Sequence, residues 1–376
     1  MARLIALDMP ASKTFVDLVQ RAWSNGDAVL PIDQRLRPAG KKMLLDAMTP
    51  SEIIDASFTA STLPNGRPMQ DGDALVIASS GSTGSPKGII HTHSSIIAGA
   101  RASASRLQLS ASDHWLVCIP VSHVGGFSVI ARALHTGAAL TLLPTFDVSA
   151  VQEAVKNGVT HTSLVATALL RIDTSLFKSI LLGGSSAPDN LPSNVITTYG
   201  MTETGGGVVY NGQPLDNVEI KIVDGEIFLR CPMLMRAYRD DQAISMQDGW
   251  YATGDLGEID ENGKLSVHGR QTDLIITGGE NVWPSVVETS LTSHPLVNQV
   301  VVRGMTDTKW GQRVVAYVVL NDSTQTSESK LLSDFRDHVK QTLPDFCAPQ
   351  QIIVLAEIPR TSLGKVDVQA LPNLNT

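Results

Sequence analysis

Residues 79–88 read SSGSTGSPKG, with five hydroxyls, three glycines, one proline and one lysine in ten positions. Backbone N–H groups of a glycine-rich turn can converge on a phosphate, and Gly81 and Gly84 permit the close approach. The hydroxyls of Ser79, Ser80, Ser82 and Thr83 add donors, and Lys87 adds a positive charge. The spacing is not the G-x-x-x-x-G-K-[ST] phosphate loop, because Pro86 precedes the lysine and Gly88 follows it. Composition leaves two readings, a phosphate-holding loop or a flexible Gly/Ser linker. The lysine and proline within the run, and the apolar patterns that flank it, favour phosphate.

Three other stretches carry groups of the same chemistry. In TYGMTET (198–204) Glu203 is a hard oxygen donor of the kind Mg²⁺ takes beside phosphates, and Thr202 and Thr204 could donate to phosphate. A surface turn has the same composition. YATGDLG (251–257) places Asp255 behind a strand, where its carboxylate accepts from ribose hydroxyls or simply closes a hairpin. PRTSLGKVD (359–367) places Lys365 in a glycine-containing turn, where a lysine is ordinarily just solvated.

The elements that must position these groups alternate. TFVDLVQRAW (14–23) has helical apolar spacing, and DAVLPID reads as a strand. DALVIASS (73–80) reads as a buried strand and SIIAGARASASRLQL as a helix, which places the glycine-rich loop between a strand and a helix. HWLVCIP, AALTLLP, KSILLGG and VITTYG read as strands, interleaved with helices at GGFSVIARALHTG and VSAVQEAVKNG. HTSLVATALLRI starts as a strand or turn and becomes a helix. This alternation predicts an α/β architecture with a largely parallel sheet, whose ligands bind at the carboxyl ends of strands. From about residue 207 the texture becomes β-rich, with turn signals at Asn211-Gly212 and Asp224-Gly225. Beyond Arg270 the pattern predicts a small α+β unit. The expected division is 1–269 and 270–376, and NDSTQTSES (321–329) reads as a solvated, mobile loop.

Bulk properties bound the function. The chain has 376 residues, 43% of them hydrophobic and 18% charged, an ordinary globular composition. A formal net charge of −8 argues against general affinity for nucleic acid or anionic membrane. Cys118, Cys231 and Cys347 are scattered and lack metal-ligand spacing, as in a reducing compartment. The N-terminal stretch does not read as a signal peptide, and there is no apolar run of membrane-spanning length. The expectation is a cytoplasmic protein that neither binds nucleic acid nor inserts into a membrane.

Taken together, SSGSTGSPKG, YGMTET, WYATGD, GRQTDLIITGGENVWPSVVE and PRTSLGKV occur in an order and at separations that resemble the acyl-adenylate-forming family. That family includes acyl-CoA synthetases, luciferases and peptide-synthetase adenylation domains, and the resemblance runs from about residue 73 to 368. It implies a large N-terminal domain of mostly parallel sheets with a β-rich subdomain, truncated at its N-terminus, and a small mobile α+β C-terminal domain. It also implies ATP and Mg²⁺ as cofactors and CoA as co-substrate. Ser79, Ser80, Gly81, Ser82, Thr83, Gly84 and Lys87 would hold triphosphate. Gly183, Gly184 and Ser185 would flank acyl group and adenine, and Tyr199 beside Gly200 would stack on the base. Thr202 would contact the α-phosphate and Glu203 would ligate Mg²⁺. Asp255, helped by Arg270, would accept from the ribose. Lys365 would bridge carboxylate and α-phosphate. His123 sits where the family has a gate to the acyl pocket, or is simply a packed histidine.

For the thioester step the resemblance implies rotation of the C-terminal domain, with TGGEN lining the thiol tunnel. Thr272 stands at the pivot, where the family has Asp or Lys, and Val368-Gln369 replace an arginine after the C-terminal lysine. Within the family the chain is short and resembles the o-succinylbenzoate–CoA ligases of menaquinone synthesis, on AVLPIDQRL, PVSHVGGFSVIARAL, HTSLVATALLRI and YGMTETGGGVVYNGQPLDNVEIKI. The substrate's ring carboxylate then needs a cation, for which the resemblance offers Arg171, otherwise an exposed helix arginine. A ligase for another aryl or medium-chain acid, an adenylation protein loading a carrier, and a non-catalytic nucleotide-binding homologue are the alternatives. A homodimer is compatible with the resemblance.

Overall fold

The computed structural model describes residues 1–80, 86–184, 190–321, 327–360 and 366–372. The chain forms two compact units. One comprises Met1–Lys221, Phe228–Ala252 and Ile259–Leu265, and the other Ile222–Ile227, Thr253–Glu258 and Ser266–Thr376.

The first unit begins with β1 (Leu4–Asp8), α1 (Lys13–Ser24) and β2 (Ala28–Pro31). The strands are apolar and deeply buried, as strands of a covered parallel sheet are. Ser12 starts α1 by accepting from the Phe15 N–H at 3.1 Å, and Phe15, Val16, Val19 and Ala22 supply its buried stripe. Next come α2 (Pro38–Met48), β3 (Glu52–Asp55), β4 (Ala60–Thr62), β5 (Asp73–Ser80), β6 (Pro86–Thr92) and α3 (His93–Leu107). These strands lie in the order β6-β5-β2-β1-β3-β4, with β5, β2, β1 and β3 parallel and β6 and β4 antiparallel to their neighbours.

Here the structure corrects one expectation. The glycine-rich stretch does not run from strand straight into helix, because β6 intervenes. Ile89 and Ile90 are β-branched and fully buried against β5, so the segment pairs back antiparallel before α3 starts at His93.

A second sheet follows from β7 (His114–Val117), α4 (Val124–Thr136), β8 (Ala139–Leu142), α5 (Val148–Lys156), β9 (His161–Leu164), α6 (Ala166–Leu169), β10 (Ser179–Leu182), β11 (Val195–Met201), β12 (Gly206–Tyr210) and β13 (Gln213–Pro214). Its order is β13-β12-β11-β10-β9-β7-β8, parallel from β8 to β11 and antiparallel beyond. Trp115 on β7 and Phe127, Val129 and Ile130 on α4 are buried, and Phe127 packs edge-on against Trp23 of α1.

The β-rich stretch holds β14 (Glu219–Val223), β15 (Glu226–Arg230), β16 (Ala237–Tyr238), β17 (Met246–Gln247), β18 (Trp250–Ile259) and β19 (Leu265–Arg270). Both expected turns form, with positive φ at Asn211, Gly212, Asp224 and Gly225. Strand β16 leaves this stretch to pair with β6, Tyr238 opposite Ile89. A bidentate ion pair fixes that edge: Arg236 donates to Asp73 at 2.6 and 2.9 Å, and the Asp73 side chain is fully buried.

The second unit contains β20 (Ile275–Thr277), β21 (Glu280–Val282), α7 (Pro284–Thr292), β22 (Val297–Asp307), β23 (Gly311–Leu320), α8 (Glu328–Lys340) and β24 (Gln351–Val354). The sheet order is β21-β20-β23-β22, and β24 lies parallel to β23. Val287, Leu291, Val302, Val314 and Phe335 form its core. Most of the expected mobile loop, 322–326, lies outside the described residues. The three cysteines are free. Among the described residues no helix is long and apolar enough to cross a membrane.

Removing one partner of a buried pair strands the other charge. Arg236→Met is therefore expected to cost about 3 kcal/mol in urea unfolding, and the double variant with Asp73→Asn to recover a large part of it.

Candidate functional site

The ladder between β5 and β6 ends with Ser79 opposite Lys87 and Ser80 opposite Pro86. Gly81, Ser82, Thr83, Gly84 and the Ser80 side chain lie outside the described residues. Lys87 is described. Its Nζ stands 3.2 Å from the centroid of the Tyr238 ring, which β16 brings alongside β6. The Tyr238 hydroxyl donates to Glu203 Oε1 at 3.3 Å and lies 3.4 Å from the Tyr251 hydroxyl. Lys87 and Glu203, 116 positions apart by their numbers, thus meet through one buried ring.

Glu203 sits in a single 3₁₀ turn, Thr202–Thr204, between β11 and β12. Gly200 makes this turn possible: a Cβ there would collide with the backbone carbonyl of Gly206 and lie 2.7 Å from Gly207 Cα. Thr204 is not available to phosphate. It is buried, and its hydroxyl accepts from Met201 N–H at 2.9 Å and donates to the Gly206 carbonyl at 2.8 Å. Thr202 stays half-buried, and its carbonyl accepts from His91 Nε2 at 2.7 Å. Burial pushes the His91 imidazole down to about 4, so the ring is neutral and Nε2 carries the proton. Tyr199 is half-buried and Gly200 exposed at the end of β11.

A narrow cavity of ≈ 30 Å³ lies among α3, α4 and β12, lined by His91, Ser103, Ser128, Arg132 and Gly206 among others. Arg132 is 4% exposed. It donates to Ser128 Oγ at 3.3 Å and Ser163 Oγ at 3.0 Å and stacks over Trp115 at 4.7 Å. Its Nε has no partner, and burial lowers its affinity for its proton. No carboxylate pairs with it among the described residues. A buried guanidinium without a counter-charge is costly and equips the cavity to receive an anion.

His123 caps α4, and an ionic cluster from the end of β2 holds it. Arg35 is bidentate to Asp33, at 2.9 and 2.6 Å, and its Nη2 lies 2.8 Å from His123 Nε2. His123 Nε2 also lies 3.4 Å from Asp33 Oδ2. Burial alone would raise the Asp33 carboxyl; the hydrogen bonds from Arg35, the adjacent His123 and the Arg35 charge outweigh it and hold it well below the usual carboxylate range.

Gly183 and Gly184 follow β10, whereas Ser185 lies outside the described residues, as does Lys365. Arg171 is exposed just beyond α6, its guanidinium 5.1 Å over the Phe146 ring. In the second unit Asp255 is nearly buried and paired with Arg270 Nε at 2.8 Å, while Arg270 Nη1 donates to the Thr253 carbonyl at 3.1 Å. TGGEN is a tight hairpin: Thr277 faces Glu280, and both intervening glycines have positive φ. Thr272 is exposed in a 3₁₀ turn, Gln271–Asp273.

Glu203 suits Mg²⁺. Its carboxylate accepts a hydrogen bond from the Tyr238 hydroxyl and offers hard oxygen to a metal that takes one or two carboxylates and completes its shell with water and phosphate.

Tyr238, His91, Arg132 and the Asp33–Arg35 pair escaped the sequence reading. Arg132 alone left a local signal: Val124, Ser128 and Arg132 share one helix face, an arginine on the face of α4 that lines the cavity.

Residues 11–239 match the AMP-binding enzyme family and residues 286–365 match the AMP-binding enzyme C-terminal domain. The chain belongs to the AMP-binding enzyme family. A Mycobacterium tuberculosis relative called a probable 2-succinylbenzoate–CoA ligase is 34% identical, over 91% of this chain and 94% of its own. A Bacillus anthracis 2-succinylbenzoate–CoA ligase is 34% identical over 77% of this chain and 68% of its own. Among solved structures, the o-succinylbenzoate CoA synthetase of Bacillus subtilis in complex with its acyl-adenylate intermediate superposes with a TM-score of 0.86 and 28% identity, over 99% of this chain and 88% of that one. The same enzyme with ATP and magnesium ion gives 0.84 at 28% identity, over 98% and 89%. In this AMP-binding enzyme the fold is that of the family, with its mixed sheets and its C-terminal domain.

The Asp33 cluster carries a pH signature. The folded value of its carboxyl lies below the unfolded one, so its stabilisation is whole above about pH 4 and is lost as pH falls toward the folded value. Asp33→Asn is expected to lower stability by about 1–3 kcal/mol at neutral pH. In denaturant titrations the gap to wild type should hold down to about pH 4 and narrow below it.

Proposed function

We propose that this chain is an AMP-forming 2-succinylbenzoate–CoA ligase acting in menaquinone biosynthesis. The observation that carries the reading is the match, over nearly the full length of both chains, to the M. tuberculosis relative of that name. The site fits the chemistry. The succinyl carboxylate attacks the α-phosphorus of ATP, and the bond to the bridging oxygen of pyrophosphate breaks. The CoA sulfur then attacks the acyl carbon, and AMP departs with the carboxylate oxygen.

The first step brings two anions together, so catalysis rests on cations and on alignment. Ser79 to Lys87 would hold the β- and γ-phosphates, with Lys87 as the fixed charge on β6. Thr202 would contact the α-phosphate. Glu203 would hold Mg²⁺, which neutralises phosphate charge when bound. Gly183, Gly184, Ser185, Tyr199 and Gly200 would frame adenine and acyl group, and Asp255 with Arg270 would take the ribose. Lys365 would bridge carboxylate and α-phosphate. Rotation about Thr272 of a C-terminal domain beginning near residue 270 would withdraw Lys365 and bring the TGGEN hairpin to the thiol. Both ATP and CoA are cytoplasmic, where we place the enzyme.

For the ring carboxylate we choose Arg132 over Arg171. Arg171 is exposed and stacked on Phe146, whereas Arg132 is buried, lacks a counter-charge and faces the cavity. The cavity, about 30 Å³, has room for a water or two, so the carboxylate would either displace such a water or be bridged by it. His123, held by Arg35, stands at the start of the same helix as a gate.

The purified protein is assayed for AMP release with ATP, Mg²⁺ and CoA against 2-succinylbenzoate, benzoate, 4-hydroxybenzoate and octanoate. CoA-dependent turnover with 2-succinylbenzoate alone is expected. Turnover of another acid instead refutes the substrate, and pyrophosphate release without CoA thioester points to a carrier acceptor. Arg132→Met is expected to raise KM for 2-succinylbenzoate about tenfold or more with KM for ATP unchanged, as for loss of a charge-assisted contact. Arg171→Ala should leave both values as they are. Lys365→Ala should abolish adenylate formation and spare thioester formation from supplied acyl-adenylate; equal loss in both steps contradicts domain alternation.

A further inference from the structure

Tyr238 lies in none of the motifs that phosphate chemistry singles out, yet it touches two of them. Its ring is 5% exposed. The Lys87 ammonium stands 3.2 Å from the ring centroid, and the hydroxyl donates to Glu203 Oε1 at 3.3 Å. Lys87 and Glu203 are half-buried groups of opposite charge, which attract each other. Among the described residues no ion pair joins them; each is engaged with Tyr238 instead.

We infer that Tyr238 is a positioning residue that keeps the phosphate-loop lysine and the metal-binding carboxylate from pairing with each other, seating Lys87 on its ring face and fixing Glu203 with its hydroxyl. A Lys87–Glu203 ion pair would neutralise both groups and would have to break before nucleotide and metal could bind. Contact with a ring face has no fixed donor direction, so the ammonium keeps its N–H groups for phosphate. One hydrogen bond from a neutral hydroxyl orients the carboxylate and leaves its charge for a metal. The strand pairing makes this arrangement rigid: Tyr238 lies opposite Ile89, one residue from the Gly88 that follows Lys87.

The inference rests on the proposed nucleotide site, and two variants separate its parts. Tyr238→Phe keeps the ring and removes the donor; Tyr238→Leu removes both. Affinity for a non-hydrolysable ATP analogue is measured by calorimetry, once in EDTA and once across a Mg²⁺ titration, with thermal melting as the check on folding. Tyr238→Phe is expected to match wild type in EDTA and to lose about five- to tenfold of the affinity gained on adding Mg²⁺. Tyr238→Leu should lose that gain and also about tenfold in EDTA. The assignment is overturned if Tyr238→Phe loses as much metal-free affinity as Tyr238→Leu, or if both variants bind as wild type does. Should Tyr238→Leu fail to fold, Tyr238→Phe decides alone: it must keep the metal-free affinity and lose the metal-dependent gain. A wild-type chain that binds no nucleotide contradicts the nucleotide site itself, and with it this role for Tyr238.

Discussion

The site of the first unit depends on one antiparallel junction, where β6 is held between β5 and β16. On one side the ladder with β5 places Ser79 opposite Lys87. On the other, β16 delivers Tyr238. The junction is fixed at its base by Arg236 on the buried Asp73 and further along by Arg239. The Arg239 guanidinium donates to the carbonyls of Met48, at the end of α2, and of Pro68. Arg239 is buried, and its guanidinium also reaches the carbonyls of Thr49 and Arg67, so its donors are satisfied. The result is an edge that cannot slide, which a lysine needs if it is to meet a phosphate in a set place.

A second constraint comes from the chemistry. Bringing a carboxylate to a triphosphate requires positive charge that is not already neutralised. Among the described residues, Lys87 and Arg132 form no ion pair with a carboxylate. Lys87 rests on a ring, and Arg132 is buried with serine hydroxyls and the Trp115 ring as its neighbours. Arg35 and Arg270, by contrast, are tied to Asp33 and Asp255. Burial and the adjoining cavity are why we propose Arg132 rather than the exposed Arg171 for the ring carboxylate.

Much of the architecture was legible because it is written locally. The apolar runs, the helix repeats and the Asn-Gly and Asp-Gly turns each act over a few residues, and they appear where expected. Strand β6 was missed because GIIHT is short and abuts a helix, so its antiparallel return depends on a partner rather than on its own period. Residue type marked Lys87, Thr202, Glu203 and Asp255, and the family resemblance added Arg270. What holds them is not local. Tyr238 reaches Glu203 across 35 positions, His91 reaches Thr202 across 111, and Arg35 reaches His123 across 88. Spacing carries no signal for such pairs, and the phosphate chemistry of Thr204 was over-read because its hydroxyl is consumed inside its own turn.

The central claim is that the acid is activated as an adenylate, and the fate of one oxygen tests it most directly. The purified enzyme is given 2-succinylbenzoate labelled with oxygen-18 in the succinyl carboxylate, with ATP, Mg²⁺ and CoA, and the nucleotide product is analysed by mass spectrometry. Attack of the carboxylate on the α-phosphorus leaves a labelled oxygen on phosphorus when the thioester forms, so AMP must carry a single label. Thioester formed alongside unlabelled AMP, or label found in pyrophosphate or inorganic phosphate, contradicts the account.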